Sequence, residues 1–252
     1  FVTPKMAAAA TFTWSGASTT ANWTDAANWV GGTAPGAGDD LVFPDGAAQI
    51  STSNNDFSVA TVFNSITFSG LNGGYILTGN QITLGAGGIV SSNTSGINTI
   101  NFDIAVSAVR TVNSSGALVI NGIISGGGGL SKSGGGSLTL AGVNTFTGGL
   151  IILDGMVTGT ININAFGAST NVITIGDSAG GTANARLNSD YVGTFTNPIV
   201  VVAGSTGTLS ISATVVSIFS GTITMNNNLT LTTTPSANTV DLLNQNYHSF
   251  VK

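Results

Sequence analysis

Cleaving a glycosidic bond takes two carboxylates facing each other across a cleft, and this sequence offers little from which to build such a pair. All ten acidic residues are Asp, and only Asp39 and Asp40 are adjacent. Neighbouring residues of an extended chain point to opposite faces. The pair also follows Pro35-Gly36-Ala37-Gly38, so it reads as turn chemistry, with a calcium or catalytic role as the alternative. His248 is the sole histidine and lies near the end of the sequence, where mobility is usual. A Ser-His-Asp arrangement would have to use it. With one His and no Cys, a zinc site and thiol chemistry are excluded.

The remaining polar residues read as parts of a binding or structural surface. Arg110 and Arg186 are candidates to pair with the carboxylate of a sugar acid, or else solvated outer-face residues. The glycine runs at 126–129 and 134–136 lack the following Lys-Ser/Thr of a phosphate loop and read as tight corners. Trp14, Trp23 and Trp29 are sited either to stack on sugars or to close the end of a core. Charged residues make up 6% of the 252, and the net charge is −5. Five scattered basic residues form neither a phosphate-tracking stripe nor a polybasic membrane patch, so nucleic acid is not an expected partner. No apolar run approaches the roughly 18 residues of a membrane-spanning helix. No cofactor is implied.

Whatever surface these residues form must be positioned by strands. Ser65-Ile66-Thr67-Phe68, Gln81-Ile82-Thr83-Leu84, Ser137-Leu138-Thr139-Leu140, Val172-Ile173-Thr174-Ile175 and Thr222-Ile223-Thr224-Met225 each alternate apolar with polar residues. That is the mark of a strand buried on one face. Each is soon followed by Gly, Asn or Ser turn chemistry. Such strands fit a sandwich, a barrel or a solenoid. The recurring turn–strand–turn unit without long loops favours the solenoid, with about 7 to 9 coils over residues 50–234. In that fold Leu138 and Leu140 face the core and Thr139 faces out.

The segment from Gly126 to Gly149 resembles the autotransporter-associated β-strand repeat. Leu130, Lys132, Leu138, Leu140, Gly142, Asn144, Thr145, Phe146, Thr147 and Gly148 match its pattern in order. Thr13-Trp14-Ser15-Gly16, Asn28-Trp29 and Ala34-Pro35-Gly36 resemble the Trp-rich opening module of many such proteins. The likeness covers most of residues 11–234 and is strongest at 118–157. It implies an all-β, right-handed parallel β-helix (β-solenoid), exposed on a bacterial surface or secreted from it. Autotransporters end in a membrane barrel that this sequence does not show, which leaves a fragment or a free secreted unit.

The expected organisation is an extension at 1–10, a Trp-rich N-terminal cap at 11–49 containing Trp14, Trp23 and Trp29, a solenoid at 50–234 and a C-terminal tail or cap at 235–252. Val240, Leu243, Tyr247 and Val251 recur at a spacing that permits a short amphipathic helix in that last segment. Three runs, Leu150–Leu153, Ile199–Val202 and Val215–Val216 with Ile218–Phe219, are apolar at consecutive positions, which implies burial on both sides. Ile151, Leu153, Val200 and Val202 are therefore the candidate association surface. The expected function is a non-enzymatic extracellular structural protein that self-associates into a homopolymer as a fibre, sheath or coat. The alternative is a passenger-type adhesin with a cell-surface or carbohydrate ligand, and a carbohydrate-active enzyme is the remote third reading.

Overall fold

A computed structural model describes residues 9–233 together with 240–242, 245–246 and 250–251. The expected extension at 1–10 and His248 fall largely or wholly outside these residues. The described chain is a β-solenoid of about eight coils. Its strands form a 13-stranded, a 10-stranded and a 3-stranded sheet. Successive coils pair in parallel, as in Leu130–Ser133 on Leu150–Ile152 and Ala117–Ile120 on Ser137–Leu140. The only helix among the described residues is the 3-10 turn Ala26–Asn28.

Alternation explains which side chains enter the core. Leu138 and Leu140 are fully buried while Thr139 is partly exposed. Equivalent residues stack from coil to coil. In the large sheet one inward column runs Leu41, Ile66, Ile89, Val112, Lys132, Ile152, Ile175, Val201 and Met225. A lysine thus occupies a core position between a valine and an isoleucine.

In the 10-stranded sheet the inward residue shrinks from Leu140 to Gly159, Ser189 and Ala213. The space goes to phenylalanine. A Cβ at Gly159 would lie 2.5 Å from the Phe166 ring. Phe166, Phe195 and Phe219 follow one another with successive centroids 5.2 Å apart, the first pair tilted and the second stacked.

Buried asparagines bind the corners of adjacent coils. Asn144 Oδ1 accepts from Ile124 N, and its Nδ2 donates to Ala165 O, each at 2.7 Å. One side chain therefore joins three successive coils. Asn171 and Asn197 repeat the device in the next two coils, with Asn171 Oδ1 accepting from Gly149 N and Asn197 Nδ2 donating to the carbonyls of Ala168 and Asn171. These bonds satisfy corner groups that the ladders leave unpaired.

At the N-terminal end Trp14, Trp23 and Trp29 are buried in one aromatic cluster, with Trp14 edge-on to Trp29 at 5.1 Å and Trp23 5.6 Å from Phe43. The backbone there makes one isolated bridge beside each sheet. Just past the strand Thr11–Thr13, an antiparallel bridge joins Trp14 to Trp29, with Val30 N donating to Thr13 O and Ser15 N to Asn28 O. Trp23 N donates to Asn54 O, and Asn54 N donates to Ala21 O, which covers the strand Ser53–Asn55.

The C-terminal residues differ from the helical spacing. Val240–Leu242 and Phe250–Val251 are strands that pair with Ser217–Phe219 and Leu229–Thr233. Corners reset the alternation every few residues, so apolar positions of a coil recur at three- and four-residue intervals without any helix. Leu243 and Tyr247 lie outside the described residues.

Candidate ligand-binding groove

The corners between the large sheet and the 10-stranded sheet differ in length along the solenoid. They comprise residues 115–116, 134–136 and 153–154 in three successive coils, then 176–184 and 202–208 in the next two. The two long corners stack on each other through Thr206 N to Gly181 O at 2.9 Å and Thr208 N to Asn184 Oδ1 at 2.7 Å. They project as a ledge, fastened to the short corner below by Gly155 N to Asn184 O at 2.8 Å. Beneath the ledge lies a groove of about 840 Å³, within the usual size range of ligand clefts.

Its floor is glycine backbone. Gly116, Gly136 and Gly155 line it, and each is pressed against the neighbouring coil. A Cβ on Gly155, which has φ +73°, would lie 2.3 Å from Gly136 O. Only a residue without a side chain permits both that conformation and that approach. Gly135 opens into free space. The walls carry Ser137, Asp154, Met156, Asn184, Arg186 and Ser210.

Arg186 stands on the outward face of Ala185–Asp190, between Met156 of one coil and Ser210 of the next. Its Nε contacts Ser210 Oγ at 3.4 Å. Among the described residues no hydrogen bond or ion pair engages its two terminal nitrogens, nor the Asp154 carboxylate. The groove therefore presents one free cationic fork and one free carboxylate above a flat floor.

Lys132 underlies this corner. It is wholly buried, and its Nζ donates to Ser133 O at 2.8 Å, Gly134 O at 2.5 Å and Asp154 O at 3.2 Å. Burial pulls its pKa down to about 8, partly opposed by the nearby Asp154 carboxylate. The motif lysine is thus an internal staple for the groove floor.

Of the residues singled out in the sequence, Arg186 lies in the groove. Arg110 lies on the other sheet, with Nε bound to Leu84 O and a terminal nitrogen bound to Ser107 Oγ. Asp39 and Asp40 are held in local hydrogen bonds, Asp39 with Ala10 N and Gly36 N, and Asp40 with the side chains of Asn64 and Ser65. Ile151 and Val200 stand in one outward column of the large sheet with Thr174 between them, and Leu153 and Val202 follow just past the strand ends. Asp154, Met156, Asn184 and Ser210 escaped the sequence reading. Their one signal was the long gap between Ile175 and the next apolar alternation.

Among the described residues no helix is long and apolar enough to cross a membrane. No family model and no solved structure matches the chain. A stretch of 110 residues, 42% of the chain, is 34% identical to the adhesin BmaC autotransporter of Brucella suis biovar 1 (strain 1330). The match spans only 2% of that protein's length. The similarity to an autotransporter adhesin and the parallel β-solenoid are together consistent with the passenger-type β-helix family of the autotransporters.

Proposed function

We propose that this chain is an adhesive module of a passenger-type protein, displayed on or released from a bacterial surface. The observation that carries this reading is the similarity to an autotransporter adhesin on a β-solenoid. The groove supports binding over turnover. Among the described residues Asp154 is its sole lining carboxylate, and glycoside hydrolysis by the usual routes needs two. The outward column containing Ile151 and Val200 favours a second reading, lateral self-association into a fibre or coat. That reading would add to adhesion without replacing it.

The test is attachment. Beads coated with the full chain are expected to adhere to cultured epithelial cells or to other bacterial cells above albumin-coated beads, and soluble chain is expected to compete. Coated beads that attach to neither cell type would overturn the adhesive reading.

A further inference from the structure

We propose that the groove under the ledge binds an acidic glycan, with Arg186 pairing the carboxylate of a uronate residue and Asp154 accepting from hydroxyls of the adjoining sugar. The proposal rests on the adhesive reading and names the ligand class for its groove. Among the described residues the guanidinium is the only cation that lines the groove. With its terminal nitrogens free, it offers the fork that matches a carboxylate in two parallel hydrogen bonds.

The opposite requirement, an acceptor for sugar hydroxyls, is met by the Asp154 carboxylate, which accepts no hydrogen bond among the described residues. Met156 and the glycine floor supply a flat apolar strip, which suits the C–H face of a pyranose ring. Ser137 adds a hydroxyl to the lining, while the buried Ser210 hydroxyl steadies Arg186 Nε.

A peptide is the rival ligand, and the backbone disfavours it. Extended peptides commonly bind by adding a strand to a free sheet edge. At the groove, Ser137–Leu140 is paired with Ala117–Ile120 on one side and Gly155–Thr160 on the other, and Gly155–Thr160 is itself paired with Ala185–Asp190. No edge is open there, so recognition falls to side chains. A chain ligand that presents hydroxyls and an isolated carboxylate uses all of them.

The experiment is titration calorimetry of the full chain with hexasaccharides of hyaluronan, alginate and polygalacturonate, with their methyl esters, and with a hexa-aspartate peptide. At least one acid form is expected to bind, its ester to bind far more weakly, and added salt to weaken binding. Arg186→Gln is expected to lower affinity by at least about tenfold, the loss of one charge-assisted pair, and Arg186→Lys is expected to recover part of it. The circular dichroism and melting of both variants should match the parent, because the side chain points outward. Binding by none of the three acids, equal binding of acid and ester, an unchanged Arg186→Gln variant, or equal binding of hexa-aspartate would each overturn the proposal. Bead attachment to cells without uronate binding would sink this proposal and leave the adhesive reading. Uronate binding without attachment would do the reverse.

Discussion

The ammonium of Lys132 donates to the main-chain carbonyl of Asp154, 3.2 Å away and one full coil further along the chain. The same Asp154 carries the carboxylate that faces the groove, so the core lysine and the candidate site are electrostatically joined. Burial brings Lys132 down to about 8, below the roughly 10.4 of an unfolded lysine. Between these values the unfolded chain holds the proton more tightly than the folded chain. Stability is therefore expected to rise with pH across that window, by at most about 1.4 kcal/mol per pH unit from this one group. Below pH 8 both states are protonated, and the contribution to the slope vanishes. Denaturant titrations of the parent and of Lys132→Met should differ in slope only in that window. Asp154→Asn removes the charge that favours the ammonium, so the Lys132 pKa should fall further. Parallel stability–pH curves for the parent and Lys132→Met would show that the lysine keeps an ordinary pKa.

Asn144 should be among the least replaceable polar residues. Its amide satisfies the N–H of Ile124 and the carbonyl of Ala165 in a site that is 1% exposed. Asn144→Ala leaves both groups buried without that partner and should cost at least about 2 kcal/mol. Asn144→Asp should fare no better, because an ionised carboxylate cannot donate to Ala165 O. Thr145→Ala, on an exposed neighbour, is the matched control and should be nearly silent. Equal melting temperatures for the two alanine variants would contradict the bridging role.

Glycines in the coils should divide into two groups under alanine substitution. A Cβ at Gly122 would lie 1.9 Å from the carbonyl oxygen of Phe102 in the preceding coil, whereas at Gly127 nothing comes within 4 Å. Neither has a positive φ, so the contrast tests coil spacing alone. Gly122→Ala must push two backbones apart and should cost about 1–3 kcal/mol or more. Gly127→Ala should be neutral or stabilise by up to about 1 kcal/mol, through the entropy of the unfolded chain. Thermal melts of the two variants decide it, and equal tolerance would mean that the coils are spaced more loosely than the structure has them.

The inward and outward assignment of Leu138, Thr139 and Leu140 was legible because a strand has a period of two, and one buried face fixes its phase. The Trp-rich cluster was legible from composition and resemblance. Its antiparallel bridge between Trp14 and Trp29 was not, since nothing in Asn28-Trp29-Val30 alternates. Lys132 was visible as a motif residue, yet one of the three carbonyls that hold its ammonium, that of Asp154, reaches it only when the next coil stacks. The groove was hidden for a related reason. It arises from the difference between neighbouring corners, 153–154 against 176–184, and the length of the second does not by itself show which shorter corner it overhangs. Val240–Leu242 and Phe250–Val251, whose apolar residues sit at helical spacing, are three- and two-residue strands.

The outer face of the large sheet yields the last prediction. Its outward column runs Ile151, Thr174, Val200 and Thr224 across four successive coils, alternating an aliphatic residue with a threonine. Ile151 and Val200 are each partly exposed, so the solenoid itself covers them incompletely. Burying such a side chain fully against a partner is worth about 1.5–3 kcal/mol at most, and less for one already half covered. Two per subunit, repeated along a filament, suffice to bias association without holding an isolated pair together. The double variant Ile151→Thr with Val200→Thr makes the column threonine throughout and keeps the β-branched shape that suits a strand. The monomer should keep its circular dichroism and melt within about 1 kcal/mol of the parent, since neither residue faces the core. Sedimentation velocity at high protein concentration should show less of the faster species. An unfolded double variant would place these side chains in the monomer core, and a parent that stays monomeric at every concentration would remove the association surface altogether.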